Sequence, residues 1–340
     1  MPRIHRILLV LVAIALFPGC GQAAQHHRRV PPAPSPAEAD RLAVESTTAF
    51  LGRYVDPDGR VVRHDQGGDS VSEGQAYGML AAAAVGDEAR FNLIWGWTKE
   101  HLQRPDALFA WHWSHGRVVD HQAASDADLD AARALMVASC SLQRPDLRAE
   151  AGRIGRAVLA HETRARVLTA GPWATTGQTV FNPSYLDPST LLGLGHLTGD
   201  HRYSAVAQRG RDLIRSLSRP LPPDWATVSG RVARPARHGR FSWDAPRTLV
   251  RLAADPNSAG RAIAARAWPR LRRGGAGPRS SVTLAGAAGA AQASGYHASA
   301  AWLLHQAAAL QQAHPTYFGA AWTALGRLML TTRRLDVRPC

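Results

Sequence analysis

Apolar positions along the chain recur at helical spacing in one segment after another, with short breaks between. From Ala37 onward this pattern predicts helices over about 37–54, 73–86, 88–103, 126–142, 147–162, 184–198, 201–217, 242–254, 258–271, 282–294, 297–313 and 317–332. The stops are Gly86-Asp87, Arg144-Pro145-Asp146, Gly199-Asp200, Asp255-Pro256-Asn257 and Gly295. In each a breaker sits beside a residue able to cap the next helix. No convincing run of alternating strand residues interrupts them. About twelve helices, several joined by tight turns, imply six helical hairpins. One closure for six hairpins is a ring of inner and outer helices, so the expected fold is all-α, an α/α toroid forming a single domain over 37–335. A stacked solenoid is the alternative, but no regular period of about 34 or 40 residues is present.

The segment before Ala37 breaks the pattern. Arg3, His5 and Arg6 form a basic start, and Ile7 to Phe17 is an unbroken apolar run of signal-peptide length. That run is too short to span a bilayer comfortably, and small residues follow it. Residues 1–24 are therefore expected to be a leader, with an N-terminal membrane anchor as the alternative. Residues 25–36 read as a flexible linker, and the mature protein is expected in the periplasm or secreted. Gly19-Cys20 resembles the end of a lipoprotein lipobox, although Phe17 and Pro18 fit it poorly, and cleavage near Ala23 or Ala24 competes. Any membrane contact is thus expected only through a lipid anchor at Cys20.

Composition narrows the function classes. Apolar residues make up 45% of the chain and charged residues 19%, enough for a sizeable core. The formal charge of +14 would ordinarily raise nucleic-acid binding. The basic residues are scattered arginines, with Lys99 the only lysine, so the clustered patch that nucleic acid needs is missing. Three cysteines, Cys20, Cys140 and Cys340, give no disulfide framework and no metal spacing; Cys140, in an Ala/Leu-rich helix, reads as a small buried hydrophobe.

The longer loops at 55–71, 104–124, 163–183 and 218–240 carry Trp111, Trp113, Trp173 and Trp225. Flat apolar rings suit the faces of pyranose sugars, and each could equally fill core. Three acidic residues stand at helix starts beside serines: Ser72-Glu73, Ser125-Asp126 and Ser242-Trp243-Asp244. Taken singly, each is explained by helix capping. In a ring, however, the inner helices all point the same way, and carboxylates at their N-termini converge on one face. Convergent carboxylates in a Trp-lined cleft are what glycosidic hydrolysis requires, one acid for the leaving oxygen and one base for water. That chemistry needs no metal or cofactor. His112-x-x-His115 looks like a ligand pair but has no third ligand, so no metal site is expected there.

Val71-Ser72-Glu73-Gly74-Gln75-Ala76-Tyr77-Gly78-Met79 resembles the SEG-x-x-YGM segment of glycoside hydrolase family 8. The resemblance continues through Ala110-Trp111-His112-Trp113, and through Ala124-Ser125-Asp126-Ala127-Asp128-Leu129-Asp130, close to the family's A-[ST]-D-[AG]-D signature. It extends to Asn182-Pro183-Ser184-Tyr185, Pro223-Asp224-Trp225 and Asp244-Ala245-Pro246-Arg247, covering about residues 50 to 330. Order and spacing are most similar to the cellulase-like members associated with bacterial cellulose synthesis.

The resemblance implies an (α/α)6 barrel and inversion at the anomeric centre. It places the general acid at Glu73 and the base at Asp244. Asp126 takes the place of the signature aspartate, a substrate-orienting carboxylate, and Tyr185 that of a tyrosine beside the attacking water. Arg247, Asn182, Trp111 and Trp113 fall where substrate-binding cleft residues are expected. Ala131 stands where Ile or Met is usual, Trp243 where Tyr is, and Tyr317-Phe318-Gly319 departs from a Tyr-Tyr pattern. None of these removes a catalytic carboxylate; they bear on substrate preference and rate. The implied substrate is a β-1,4-glucan, cut internally, and a cellulose synthesis complex is a candidate partner. Xylanase and chitosanase activities within the family stay open, though a chain of +14 should repel polycationic chitosan. A non-catalytic polysaccharide-binding toroid is the rival from another class; retention of Glu73, Asp126 and Asp244 together favours the enzyme.

An acid at Glu73 must stay protonated near neutral pH. Its helix N-terminus favours the anion, whereas burial and a like charge at Asp126 oppose it. The sequence leaves that balance open.

Overall fold

The computed structural model describes residues 30–175, 178–237, 239–274 and 279–337. The expected leader, Cys20 and most of the linker lie outside the described residues. The compact unit from Pro31 onward contains the helices α1 (Pro36–Tyr54), α2 (Ser72–Val85), α3 (Glu88–His101), α4 (Ser125–Ser141), α5 (Asp146–His161), α6 (Pro188–Thr198), α7 (Arg202–Leu217), α8 (Ala245–Ala253), α9 (Ser258–Ala265), α10 (Trp268–Leu271), α11 (Ser281–Ala293), α12 (His297–Ala313) and α13 (Tyr317–Thr331). Among the described residues, no helix is long and apolar enough to cross a membrane.

Packing closes these helices into two concentric rings. The inner ring runs α2, α4, α6, α8, α11 and α13, and α13 packs back onto α2. The helices α1, α3, α5, α7, α9 and α12 lie outside it; five inner helices pack on the outer helix that follows, and the sixth pair brings α13 against α1. The inner helices α2, α4, α8, α11 and α13 are buried nearly all round, whereas α7 and α12 bury one face. Small residues let the inner helices approach. A Cβ at Gly289 of α11 would stand 2.7 Å from the Leu249 carbonyl oxygen of α8, inside van der Waals contact.

Three helix boundaries differ from the sequence pattern, each through local chemistry. The expected 258–271 helix divides into α9 and α10 because the Pro269 ring would clash with the carbonyl of Ala265, where α9 ends. The expected 184–198 helix begins only at Pro188, N-capped by Asp187, with a separate 3-10 turn at Pro183–Tyr185 before it. The expected 242–254 helix starts at Ala245, with Pro246 in its first turn.

The expectation of no strands needs correcting. Short antiparallel strands occupy the long loops: β1 (Ser70–Val71), β2 (His112–Ser114) and β3 (Arg117–Asp120) form one sheet, and β4 (Thr163–Arg164) pairs with β5 (Val167–Leu168). A third sheet joins β6 (Thr179–Phe181), β7 (Ala226–Ser229) and β8 (Val232–Pro235). Strands of two to four residues are too short to show an alternating pattern. Cys140, in the last turn of α4, is half-buried and disulfide-bonded, so it is not the sealed hydrophobe expected.

The connections are lopsided. The turns that leave α2, α4, α6 and α8 are tight, and the long segments all precede those helices. Loops and small sheets therefore collect over the N-terminal mouth of the inner ring. The site is built there.

Candidate active site

Three inner helices deliver their first turns to one point. Glu73 and Asp126 are the second residues of α2 and α4, Asp244 is the N-cap of α8, and Arg247 follows in the first turn of α8. The neighbouring serines do not cap these helices. Ser125 Oγ donates to the Thr169 carbonyl at 2.6 Å, and Ser242 Oγ donates to Asp224. Gly74 has no room for a side chain, since a Cβ there would stand 2.7 Å from the Tyr317 hydroxyl.

Arg247, almost wholly buried, organises the cluster. Its Nη1 donates to Glu73 Oε2 and to Asp126 Oδ2, each at 3.1 Å, and to the Tyr77 hydroxyl at 2.9 Å. Its Nη2 donates to Asp244 Oδ1 at 2.8 Å. At most, two hydrogen bonds and the width of one guanidinium separate Glu73 Oε2 from Asp244 Oδ1. The three carboxylates differ in access: the side chains of Glu73 and Asp244 are 22% and 23% exposed, that of Asp126 only 2%. Asp126 is left little surface with which to meet a sugar directly.

The balance left open for Glu73 resolves upward, to a pKa of about 7. Burial is the main cause, opposed by Arg247 and reinforced by the negative charges of Asp126 and Asp244. The Tyr77 hydroxyl, donating to Glu73 Oε2 at 3.2 Å, favours the anion but is outweighed. Burial also raises Asp126, against Arg247 and with Asp130. Glu73 is therefore available as a proton donor near neutral pH.

Asp244 is held from two sides. Asn182 Nδ2 donates to its Oδ2 at 3.1 Å. The buried Asp224 accepts the backbone N–H groups of Ser242 (3.2 Å), Asp244 (2.9 Å) and Ala245 (2.7 Å). Asp224 thus caps α8 from a distant loop and sets where Asp244 points. In the sequence Asp224 stands only within Pro223-Asp224-Trp225 of the resemblance, with nothing local to mark a capping role, because its partners are about twenty residues away across a loop.

Around the carboxylates stand aromatic rings. Tyr185 lies 5.5 Å from Arg247 Cζ and edge-on to Trp225. Phe318 and Trp322 complete a cage at 5.4 and 5.8 Å. Trp111 abuts the start of α2, its carbonyl accepting the Ser72 N–H at 2.9 Å, and stacks on His112. Trp243, beside Asp244, is 64% exposed, and Trp173, whose indole N–H donates to the Ala123 carbonyl just before α4, is 41% exposed.

These features agree with a match over residues 41–331 to the family model described as glycosyl hydrolases family 8. The chain belongs to that family. Among its relatives, a protein of Novacetimonas hansenii named "Probable endoglucanase" is 37% identical over 219 residues, 58% of this chain and 63% of that protein. An endoglucanase of Xanthomonas axonopodis pv. citri is 32% identical over 226 residues, 60% and 58% of the two chains. The matches thus span about three fifths of those relatives' lengths. The solved structure of the endo-beta-1,4-glucanase CMCax from Acetobacter xylinum superposes with a TM-score of 0.72 at 30% identity, covering 84% of this chain and 97% of that one.

Within this family 8 chain, Glu73, Asp126, Asp244, Asn182, Tyr185 and Arg247 come together, and Trp111 flanks them. Trp113 was expected among them, but its ring packs against Trp97 and His101 of α3, at 5.4 and 4.8 Å, so core packing accounts for it. The two loop histidines take separate partners: His112 Nε2 meets Asp69 Oδ2 at 2.8 Å, and His115 Nδ1 meets Ser114 Oγ at 2.9 Å. Tyr77 also escaped notice as a site residue, since a tyrosine inside an apolar helix reads as core. Its hydroxyl joins Arg247, Glu73 and Trp322 Nε1.

One helical turn below the family 8 site lies a second network. Arg251 donates to both oxygens of Asp130 at 2.8 and 2.7 Å and to Asp187 Oδ2 at 3.0 Å. Arg133 donates to the same Asp187 oxygen at 2.9 Å. All four are buried.

Proposed function

We propose that this chain is an exported, endo-acting β-1,4-glucanase that inverts configuration at the bond it cuts. The observation that carries the proposal is the placement of Glu73 and Asp244 on different nitrogens of one buried guanidinium, both still open to the cleft. That upper limit admits an inverting pair, whose carboxyl groups stand about 6.5–9.5 Å apart to leave room for a water, and the choice of inversion rests on membership of family 8. In the proposed reaction Glu73 gives its proton to the glycosidic oxygen as the bond to the anomeric carbon breaks. Water attacks that carbon from the opposite face and passes a proton to Asp244. Asn182 and Asp224 hold the base in place, and Arg247 keeps the carboxylates apart. Tyr185 stands beside the water's position, while Asp126 acts chiefly by fixing Arg247 and raising Glu73.

The names of the relatives support an endoglucanase reading, and the exposed rings of Trp173 and Trp243 are suited to stacking on sugars, with the half-buried Trp111 beside them. Export rests on the basic start and the Ile7–Phe17 run. A lipid anchor at Cys20 and a cellulose synthesis complex as partner belong to the same proposal, the first resting on Gly19-Cys20 and the second on motif order. Intact mass of the native protein tests export: a full-length cytoplasmic species overturns it.

The activity is tested by reducing-end release from carboxymethylcellulose, mixed-linkage glucan, xylan and chitosan in parallel, with the product anomer followed by NMR. The expected result is release from the two glucans with the α-anomer first. Preference for xylan or chitosan would move the substrate within the family. The β-anomer first would mean a covalent intermediate and remove Asp244 as base, and release from none would favour a binding toroid.

A further inference from the structure

Between the outer helices α1 and α12, over the inner helix α13, lies a cavity of about 760 Å³. Leu42, Phe50, Ala308, Pro315 and Ala320 give it apolar walls, and Glu45, Arg53 and His305 stand among its polar lining. On its floor is Arg327, only 6% exposed. This arginine lies ten residues past Tyr317 on α13, about 15 Å along the helix axis from the active-site end.

Arg327 is unlike the other buried arginines. Arg133, Arg211, Arg247 and Arg251 each pair with a carboxylate. Arg327 Nη1 donates to the Leu42 carbonyl at 2.8 Å and to Ser46 Oγ at 2.7 Å, both neutral acceptors. Its Nε and Nη2 make no hydrogen bond with the described residues, and neither is sealed away from the cavity. Glu45 also lines the cavity and its charge acts on Arg327, but it makes no ion pair with it and is instead paired with Arg41. Burial, reinforced by Arg41 and only partly offset by Glu45, holds the Arg327 pKa below its ordinary value. A buried guanidinium left without an anion is an expensive arrangement. The free Nε–Nη2 edge has the fork geometry that takes a carboxylate through two parallel hydrogen bonds.

We infer that this cavity is a binding site for a small organic carboxylate with an apolar body, its carboxyl on the Arg327 edge and its hydrocarbon against Leu42, Phe50 and Ala308. The inference is independent of the glucanase reading, because the cavity lies away from the cleft and uses none of its residues.

Isothermal titration of the full chain with hexanoate, hexanol and inorganic phosphate tests it. Hexanoate should bind saturably, and hexanol and phosphate at least about tenfold more weakly, since each supplies half of the recognition. Arg327→Met should weaken hexanoate at least about tenfold, the loss expected for a charge-assisted pair. Ala308→Phe, which fills the cavity and leaves Arg327 in place, should do the same and carries the test if Arg327→Met does not fold. Far-ultraviolet circular dichroism and a thermal unfolding transition matching the wild type report folding in both. Equal hexanoate binding by wild type and both variants would overturn the inference, as would phosphate binding as tightly as hexanoate or no hexanoate binding at all.

Discussion

Two arginines one helical turn apart on α8, Arg247 and Arg251, face two aspartates one turn apart on α4, Asp126 and Asp130. Trp322 lies against both guanidiniums, at 5.8 and 5.4 Å. The layers differ in charge count. Around Arg247 three carboxylates share one guanidinium; below it, Asp130 and Asp187 are matched by Arg251 and Arg133. In the lower layer burial pushes Asp187 up, but Arg133 and Arg251 overcome it and leave its pKa lowered. In the upper layer one arginine cannot compensate for burial and two like charges, and Glu73 rises to about 7. The same residue types, one turn apart, make a strut in one place and hold a carboxyl protonated near neutral pH in the other. The difference is the surplus of negative charge at the cleft.

The largest expected effect separates the two layers by activity. Glu73→Gln and Asp244→Asn should each lower kcat by about 10²–10⁴ or more while sparing oligosaccharide binding, measured by reducing-end release and titration. Stability gives a second reading of the same residue. A carboxyl raised from 4.5 to about 7 by folding adds stability that is present below 4.5 and lost as pH rises through 7. The neutral Gln variant should therefore gain stability over wild type at pH 8 and not at pH 4. Equal differences at the two pH values would show that Glu73 is not perturbed as described.

Next comes the lower layer. Arg251→Met leaves Asp130 without its buried partner and should lower stability by about 3–5 kcal/mol in urea unfolding. A change under about 1 kcal/mol would show that the layer is no strut. Smaller again is the effect of Asp224→Asn, which weakens the cap aiming Asp244. It should reduce kcat by up to about 10²-fold with KM nearly unchanged, as expected for a misplaced base. A rise in KM with kcat intact would reassign Asp224 to substrate binding.

The smallest effect is a shift of the pH profile. If the proposed role of Glu73 as general acid holds, kcat/KM should fall as pH rises through about 7. Tyr77→Phe removes a hydrogen bond to the anion, so that limb should move up by about half to one pH unit. Movement downward would mean that Tyr77 stabilises the protonated form.

The helices were legible because their periodicity, prolines and glycines are local properties. The misread boundaries, at Pro188, Ala245 and Pro269, are places where caps and prolines compete with apolar spacing. The small sheets were not legible, since strands of two to four residues are recruited by neighbours distant in sequence, as Ser70 is by Trp113. Trp113 itself looked like a cleft residue because nothing in its local sequence distinguishes stacking on a sugar from stacking on Trp97.

By itself the sequence determined the run of about twelve helices, the helix starts that carry Glu73 and Asp126, and the resemblance that names their family. Those are read from spacing and residue type within one segment at a time. Only the tertiary structure decided that Asp126 is sealed while Glu73 and Asp244 stay open, that Asp224 caps the start of α8 beside Asp244, and that Arg327 has no carboxylate bonded to it. Each depends on which groups from remote segments share a buried volume. The energy of a buried charge is set by that company, through desolvation and partner count, and not by its neighbours along the chain.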